Sequence, residues 1–199
     1  MEHLPVITIS RQSGSRGREA GQFLAKELGI PCYDYEILLR AARDSGLPEE
    51  LFEQEERSAA AMLERLEDGV PAQISPISME IFQAQSKIIR DMAAQGPCII
   101  VGRCADTVLR DRSNVIHVYI YASLERRIAN TMKKRSVNRH MAKLMVERID
   151  RGRSAYHSLF SHHNWGDTSA YDLCVCTDQL TPAETASVIK AFLEARRHP

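Results

Sequence analysis

An excess of charge of either sign is the first thing this sequence lacks: its 199 residues carry 26 Lys and Arg against 26 Asp and Glu. No global field therefore argues for a nucleic acid or an anionic membrane as partner, and any electrostatic steering has to be local. Long apolar runs are missing as well. The N-terminal apolar strand is too short and wrongly flanked for a signal peptide, and nothing reads as a membrane span, so a cytoplasmic chain is expected. The five cysteines, Cys32, Cys98, Cys104, Cys174 and Cys176, form an odd set with no C-x-x-C pair. Cys98, Cys174 and Cys176 stand in apolar, strand-like runs, and all five are expected to be reduced core residues rather than redox or metal groups. The pair His162-His163 has no Cys or acidic residue at metal spacing, so no zinc is assigned. Repeats and low-complexity linkers are absent, and the length suits one domain over 1–199.

What the sequence does have is alternation. Short apolar runs at Val6–Ser10, Pro31–Tyr33, Cys98–Val101, Val115–Tyr121 and Leu173–Thr177 are separated by amphipathic stretches, the pattern of a parallel sheet covered by helices. Glu19–Leu28 reads as a helix closed by Gly29, and Asp34–Asp44 as one closed by Gly46. Leu47–Asp68 is rich in Glu, Ala and Arg. Beyond Val70-Pro71 and Ser75-Pro76 another helix runs to about Ala94, with Ile77, Ile81, Ile88 and Met92 at core spacing. Leu124–Lys134, Met141–Arg151 and Pro182–Arg196 complete the helical set.

The stretch Val6-Ile7-Thr8-Ile9-Ser10-Arg11-Gln12-Ser13-Gly14-Ser15-Arg16-Gly17-Arg18-Glu19 breaks from a buried strand into a Gly- and Ser-rich loop and then a helix. Backbone N–H groups at such a helix start, with the helix dipole behind them, suit a polyphosphate, although a plain Gly/Ser connection has the same appearance. The lysine of G-x-x-x-x-G-K-[ST] is missing. Overlaid without a shift, Arg11 falls on the first glycine, Arg16 on the last, Gly17 on the lysine and Arg18 on the Ser/Thr. A shift of one residue puts Arg18 on the lysine and Glu19 on the Ser/Thr. The shifted register is preferred, because it keeps a cation beside the phosphates and an oxygen ligand within reach of magnesium.

Two further places carry chemistry. In Ile99-Ile100-Val101-Gly102-Arg103-Cys104-Ala105-Asp106 a buried strand delivers a cation and a carboxylate to the sheet edge that holds the loop, where open parallel sheets bind ligands. The alternative is an Arg at a strand end paired with an Asp at a helix start. A basic cluster, Arg126, Arg127, Lys133, Lys134, Arg135, Arg139, Arg148, Arg151 and Arg153, lies between two late strands. It is either a solvated helix face or a set of cations for charge that develops on transferred oxygens. Asp34, with Arg40 on the helix behind it, is either an N-cap or a ligand. Trp165 is expected to pack.

The order of these features resembles the cytidylate kinase-like family of P-loop nucleoside monophosphate kinases over nearly the whole chain. The resemblance rests on Ile7–Arg11 leading into Gly14–Glu19, then Tyr33-Asp34, Val101–Asp106, Arg151-Gly152-Arg153-Ser154-Ala155-Tyr156, and Trp165-Gly166-Asp167 with Tyr171-Asp172-Leu173. It implies a three-layer α/β/α P-loop NTPase fold with a five-stranded parallel sheet and the first strand central. An inserted helical acceptor-binding region would cover about 34–95, and a lid about 135–170. It also implies transfer of the ATP γ-phosphoryl group to a nucleoside monophosphate, CMP or dCMP by default. In that reading Ser13, Gly14, Ser15, Arg16, Gly17, Arg18 and Glu19 hold the donor, with Arg18 in the lysine role and Glu19 or Ser15 near Mg2+. Asp34, Arg40, Arg103 and Asp106 face the acceptor, and Arg148, Arg151 and Arg153 close over the transferred group. Partners would be small nucleotides only, with the chain a monomer or a homodimer. The alternatives are a non-catalytic nucleotide- or phosphate-binding protein, favoured by the missing lysine, and a kinase of another small acceptor.

Overall fold

A computed structural model describes residues 4–34, 39, 43–44 and 76–196. Arg40, most of the helix expected over Asp34–Asp44 and the whole Leu47–Asp68 stretch lie outside the described residues. The five strands are β1 (Val6–Arg11), β2 (Cys32–Tyr33), β3 (Ile99–Val101), β4 (Val115–Tyr121) and β5 (Leu173–Cys176). All pairings are parallel and the order is β2-β3-β1-β4-β5, so the first strand is central.

The helices are α1 (Gly17–Leu28), α2 (Pro76–Gln95), α3 (Ala105–Val108), α4 (Leu124–Arg135), α5 (Arg139–Phe160) and α6 (Pro182–Ala195), with a 3-10 turn at Thr168–Ala170. The strand alternation decides which helix goes where. Ile7, Ile9, Ile99, Val101, Val118 and Ile120 pack with Leu24 of α1 and Ile189 and Leu193 of α6 on one face. Val6, Ile100 and Val115 pack with Ile89 and Ala93 of α2 and Leu109 beyond α3 on the other. On α2 the fully buried isoleucines are Ile81 and Ile89, one position on from the expected Ile88. Toward the loop the second face turns polar, because Thr8, Ser10 and His117 are buried there in place of aliphatics.

Two local features depart from the sequence reading. Helix α5 runs nine residues past the expected end at Arg151, because Gly152 does not interrupt it and Ala155 and His157 are buried on its inner face. The cysteines are all free, yet only Cys98 and Cys104 are buried, and Cys176 is exposed. Burial pushes the thiols of Cys32 and Cys98 up to about 11, which makes both poor nucleophiles. At the C-terminal end a capping box starts α6: the Thr181 Oγ1 accepts from the Glu184 N–H at 3.2 Å and the Glu184 carboxylate accepts from the Thr181 N–H at 2.7 Å.

Ile9 is fully buried in the central strand under α1. Ile9→Ala is expected to lower the unfolding free energy by about 2–5 kcal/mol in urea titrations, as cavity-forming substitutions of buried aliphatics do.

Candidate active site

The helix after β1 covers one face of the sheet and the helix after β3 covers the other, so the carboxyl ends of these neighbouring strands form the switch point where open α/β sheets bind ligands. The loop after β1 bends sharply. Gly14 has φ +79° and Arg16 φ +62°, and Gly17 is the first residue of α1. A Cβ at Gly17 would stand 2.8 Å from the Arg11 Cβ, so the helix start is pressed onto the strand end. The carbonyls of the loop turn inward. Gln12 accepts from the Ser15 Oγ at 2.8 Å, Gly14 from Asn130 Nδ2 at 2.8 Å and Ser15 from Thr177 Oγ1 at 2.9 Å. The first amides of α1 have no intrahelical acceptor. Their dipole points at the strand ends.

Cations surround this edge. Arg11 leaves β1 and lays its guanidinium against Gly102, whose φ is +83°, so that a Cβ there would overlap it. Arg153 of α5 donates to the Arg11 carbonyl at 3.0 Å. Burial first, then the positive charges of Arg153, Arg103 and Arg18, push the Arg11 guanidinium well below its ordinary value, while Asp150 opposes them. Gly102, Arg103 and Cys104 all have left-handed φ, at +83°, +60° and +52°. Two non-glycine residues in succession in this region carry strain on the order of 1–3 kcal/mol each, of the kind concentrated at ligand sites.

Asp150 answers the cations. Its Oδ1 accepts the Ser13 N–H at 2.7 Å and lies 3.7 Å from Arg153, and its Oδ2 pairs with Arg127, which is itself buried and donates to the Ala122 carbonyl. Burial pushes this carboxyl up, although the Ser13 N–H and both arginines pull it down. A carboxylate thus occupies an amide of the loop.

The sequence-predicted residues fall as follows. Arg18 pairs with Asp34 at 2.6 Å, which joins the loop to the end of β2. Arg103 acts electrostatically on Arg11, which places it at the same edge. Arg153 reaches the loop, whereas Arg148 and Arg151 are exposed on α5. Glu19 accepts from Lys134 at 2.8 Å, between α1 and α4. Ser15 is buried with its hydroxyl on the Gln12 carbonyl. Ser15 and Glu19, the residues expected near magnesium, thus stand at the loop and the first turn of α1, and among the described residues no three His, Cys, Asp or Glu side chains cluster as a metal site.

Asp106 is buried at 4% exposure, not open to the edge, and pairs neither with Arg103 nor with solvent: its Oδ2 lies 3.0 Å from His157 Nε2. Burial would raise this carboxyl, but the hydrogen bond to His157 and the charges of His157 and His117 outweigh it and hold Asp106 below the usual carboxylate range. Trp165 meets Tyr119 edge-on, with ring centroids 5.8 Å apart, and packs as expected. Sequence reasoning missed Arg11, Asp150 and His157. An arginine directly after a buried strand at the carboxyl edge was the available signal for the first. Nothing local marked the other two.

A glycine-turned loop between a central strand and a helix start, ringed by guanidinium groups at the switch point, is the architecture of the P-loop kinases. The cytidylate kinase-like family matches residues 6–179, and the chain belongs to that family. Membership supports a kinase-type function. None of the curated proteins matches the chain. Among solved structures, an uncharacterized protein from Eubacterium ventriosum superposes with TM-score 0.76 at 24% identity, covering 96% of this chain and 99% of that one. Shikimate kinase from Acinetobacter baumannii, solved with shikimate, gives TM-score 0.57 at 13% identity over 100% and 97% of the two chains. A gluconokinase from Sinorhizobium meliloti gives 0.52 at 14% over 98% and 94%. At these identities the likeness is one of fold. Among the described residues no helix is long and apolar enough to cross a membrane.

Two outcomes are expected. Gly102→Ala displaces the Arg11 guanidinium and should weaken binding of inorganic pyrophosphate at least tenfold by calorimetry. Asp106 has a depressed folded-state value, so its stabilisation is present above about pH 4 and is lost as pH falls through that value. In urea melts run as a function of pH, Asp106→Asn should remove this contribution and flatten the acid limb of the stability curve.

Proposed function

We propose that this protein transfers the γ-phosphoryl group of ATP to a nucleoside monophosphate, with CMP or dCMP as the default acceptor. The observation that carries the reading is the convergence of Arg11, Arg18, Arg103 and Arg153 on the loop and the end of β3, with Asp34 and Asp150 as opposing charges. Like charges brought together at a strand edge are arranged for an anion.

ATP supplies the phosphoryl group when bound. The loop from Ser13 to Glu19 holds the donor phosphates through backbone amides, and Arg18 and Asp34 form the side of the site nearest β2. Arg103 meets the acceptor phosphate. Arg11 and Arg153 neutralise charge on the transferred oxygens as an acceptor oxygen attacks the γ-phosphorus and the bond to the departing diphosphate breaks. Positioning and charge are the protein's contribution, and no strong base is required. Ser15 in the loop and Glu19 in the first turn of α1 would hold a magnesium ion, which would supply further positive charge to the donor phosphates. Asp106 supports the site from below through His157.

A second reading, an anion-binding protein without transfer, is favoured by the Asp150 carboxylate on the Ser13 N–H. One experiment separates the two: ATP consumption with magnesium present, measured against a panel of nucleoside monophosphates and other small acceptors. Acceptor-dependent ADP formation is expected with CMP or dCMP. Nucleotide binding without turnover for any acceptor would favour the second reading. Arg153→Ala should lower kcat by tenfold or more while changing ATP affinity little, because its charge-assisted contact, worth roughly 1.5–3 kcal/mol, is placed for the transition state. Equal losses in kcat and affinity would return Arg153 to ground-state binding.

A further inference from the structure

A second concentration of arginines lies away from the loop. A cavity of about 320 Å3 opens beside the start of β4, lined by Arg110 and Arg112 beyond α3, Ser113, His117, Asp172 and Arg196. Val115 also lines it, whereas the Ile120 carbonyl holds Gln12 of the loop, so the two places stand roughly 16 Å apart along β4 at about 3.3 Å per residue.

The charge at this cavity is not balanced. Three guanidinium groups face one carboxylate, and Asp172 spends both oxygens: Oδ1 accepts from Arg196 at 2.8 Å and Oδ2 from the His117 N–H at 2.8 Å. Arg110 is held in place, donating to the Ala170 carbonyl at 2.7 Å with its other terminal nitrogen 3.1 Å from His163 Nε2. The Arg112 side chain has no hydrogen-bond partner among the described residues. Burial pushes the His117 imidazole below its ordinary value, so the positive charge here belongs to the arginines.

We propose that this cavity is a second anion site, taking a small phosphate monoester with its phosphate on Arg110, Arg112 and Arg196. Guanidinium forks match phosphate oxygens in pairs, and Arg112 is available to complete the set. The cavity leaves room beside the phosphate for a small polar body near Ser113, which a monoester offers and inorganic phosphate lacks. The inference is independent of the phosphoryl-transfer reading, because it uses none of the residues at the loop.

The test is a titration of the full chain with ribose 5-phosphate and with inorganic phosphate, followed by amide resonances in 15N NMR. Saturable shifts at Ser113, His117 and Ser169 are expected, with ribose 5-phosphate at least threefold tighter than inorganic phosphate. Arg112→Ala should weaken this set at least tenfold and Arg112→Glu should abolish it, with shifts at Gly14 and Gly17 unchanged in both. Because the Arg112 side chain holds nothing in place, these variants keep the fold, and unchanged spectra without ligand check it. Absence of shifts at Ser113 and Ser169, equal shifts in Arg112→Glu, or inorganic phosphate binding as tightly as the monoester would overturn the proposal. Failure of the loop reading would show separately, as loss of the Gly14 and Gly17 shifts alone.

Discussion

The guanidinium of Arg11 lies against the backbone of Gly102, and much of the site follows from what that placement requires. Two like charges about 6 Å apart repel by roughly 3 kcal/mol at an effective dielectric near 20, and Arg11 has Arg18, Arg103 and Arg153 acting on it. A site holding this arrangement needs carboxylates close by. Asp34 takes Arg18, and Asp150 takes Arg127 and faces Arg153. The missing Cβ at Gly102 leaves the space that the Arg11 guanidinium fills.

Asp150 does more than balance charge. By accepting the Ser13 N–H it holds the bend of the loop through a protein carboxylate. Burial weakens the hold of that carboxylate, since its ionised form is disfavoured away from water. The amide is thereby paired within the protein itself, by a carboxylate that is also shared with Arg127.

Much of this was legible in the sequence, for a physical reason. Strands buried on both faces must be apolar runs, and Val6–Arg11, Ile99–Val101 and Val115–Tyr121 stand out as such. Gly14 and Gly17 marked the loop because tight bends and close approach need them. The side-chain partners were not legible. Asp150 sits in a basic helix, where a lone acid reads as a solvated charge, and its partners are 23 and 137 residues away. Asp106 was noticed for its place after β3, but its direction is set by His157, 51 residues on, and only the packed structure brings the two together. The length of α5 was underestimated because Gly152 and the polar residues around it disguise a stretch whose buried positions are Ala155 and His157.

That unbroken helix has a mechanical consequence. Asp150, Arg153 and His157 follow at i, i+3 and i+7, so they share one face of a single rod about 33 Å long. A rod moves as a unit. Lifting it far enough to free the Ser13 amide also draws His157 off Asp106, and a buried carboxylate deprived of its partner is costly. One helix therefore ties the loop to the interior: Asp150 grips the Ser13 amide and His157 the buried Asp106, so a strain at one contact is felt at the other.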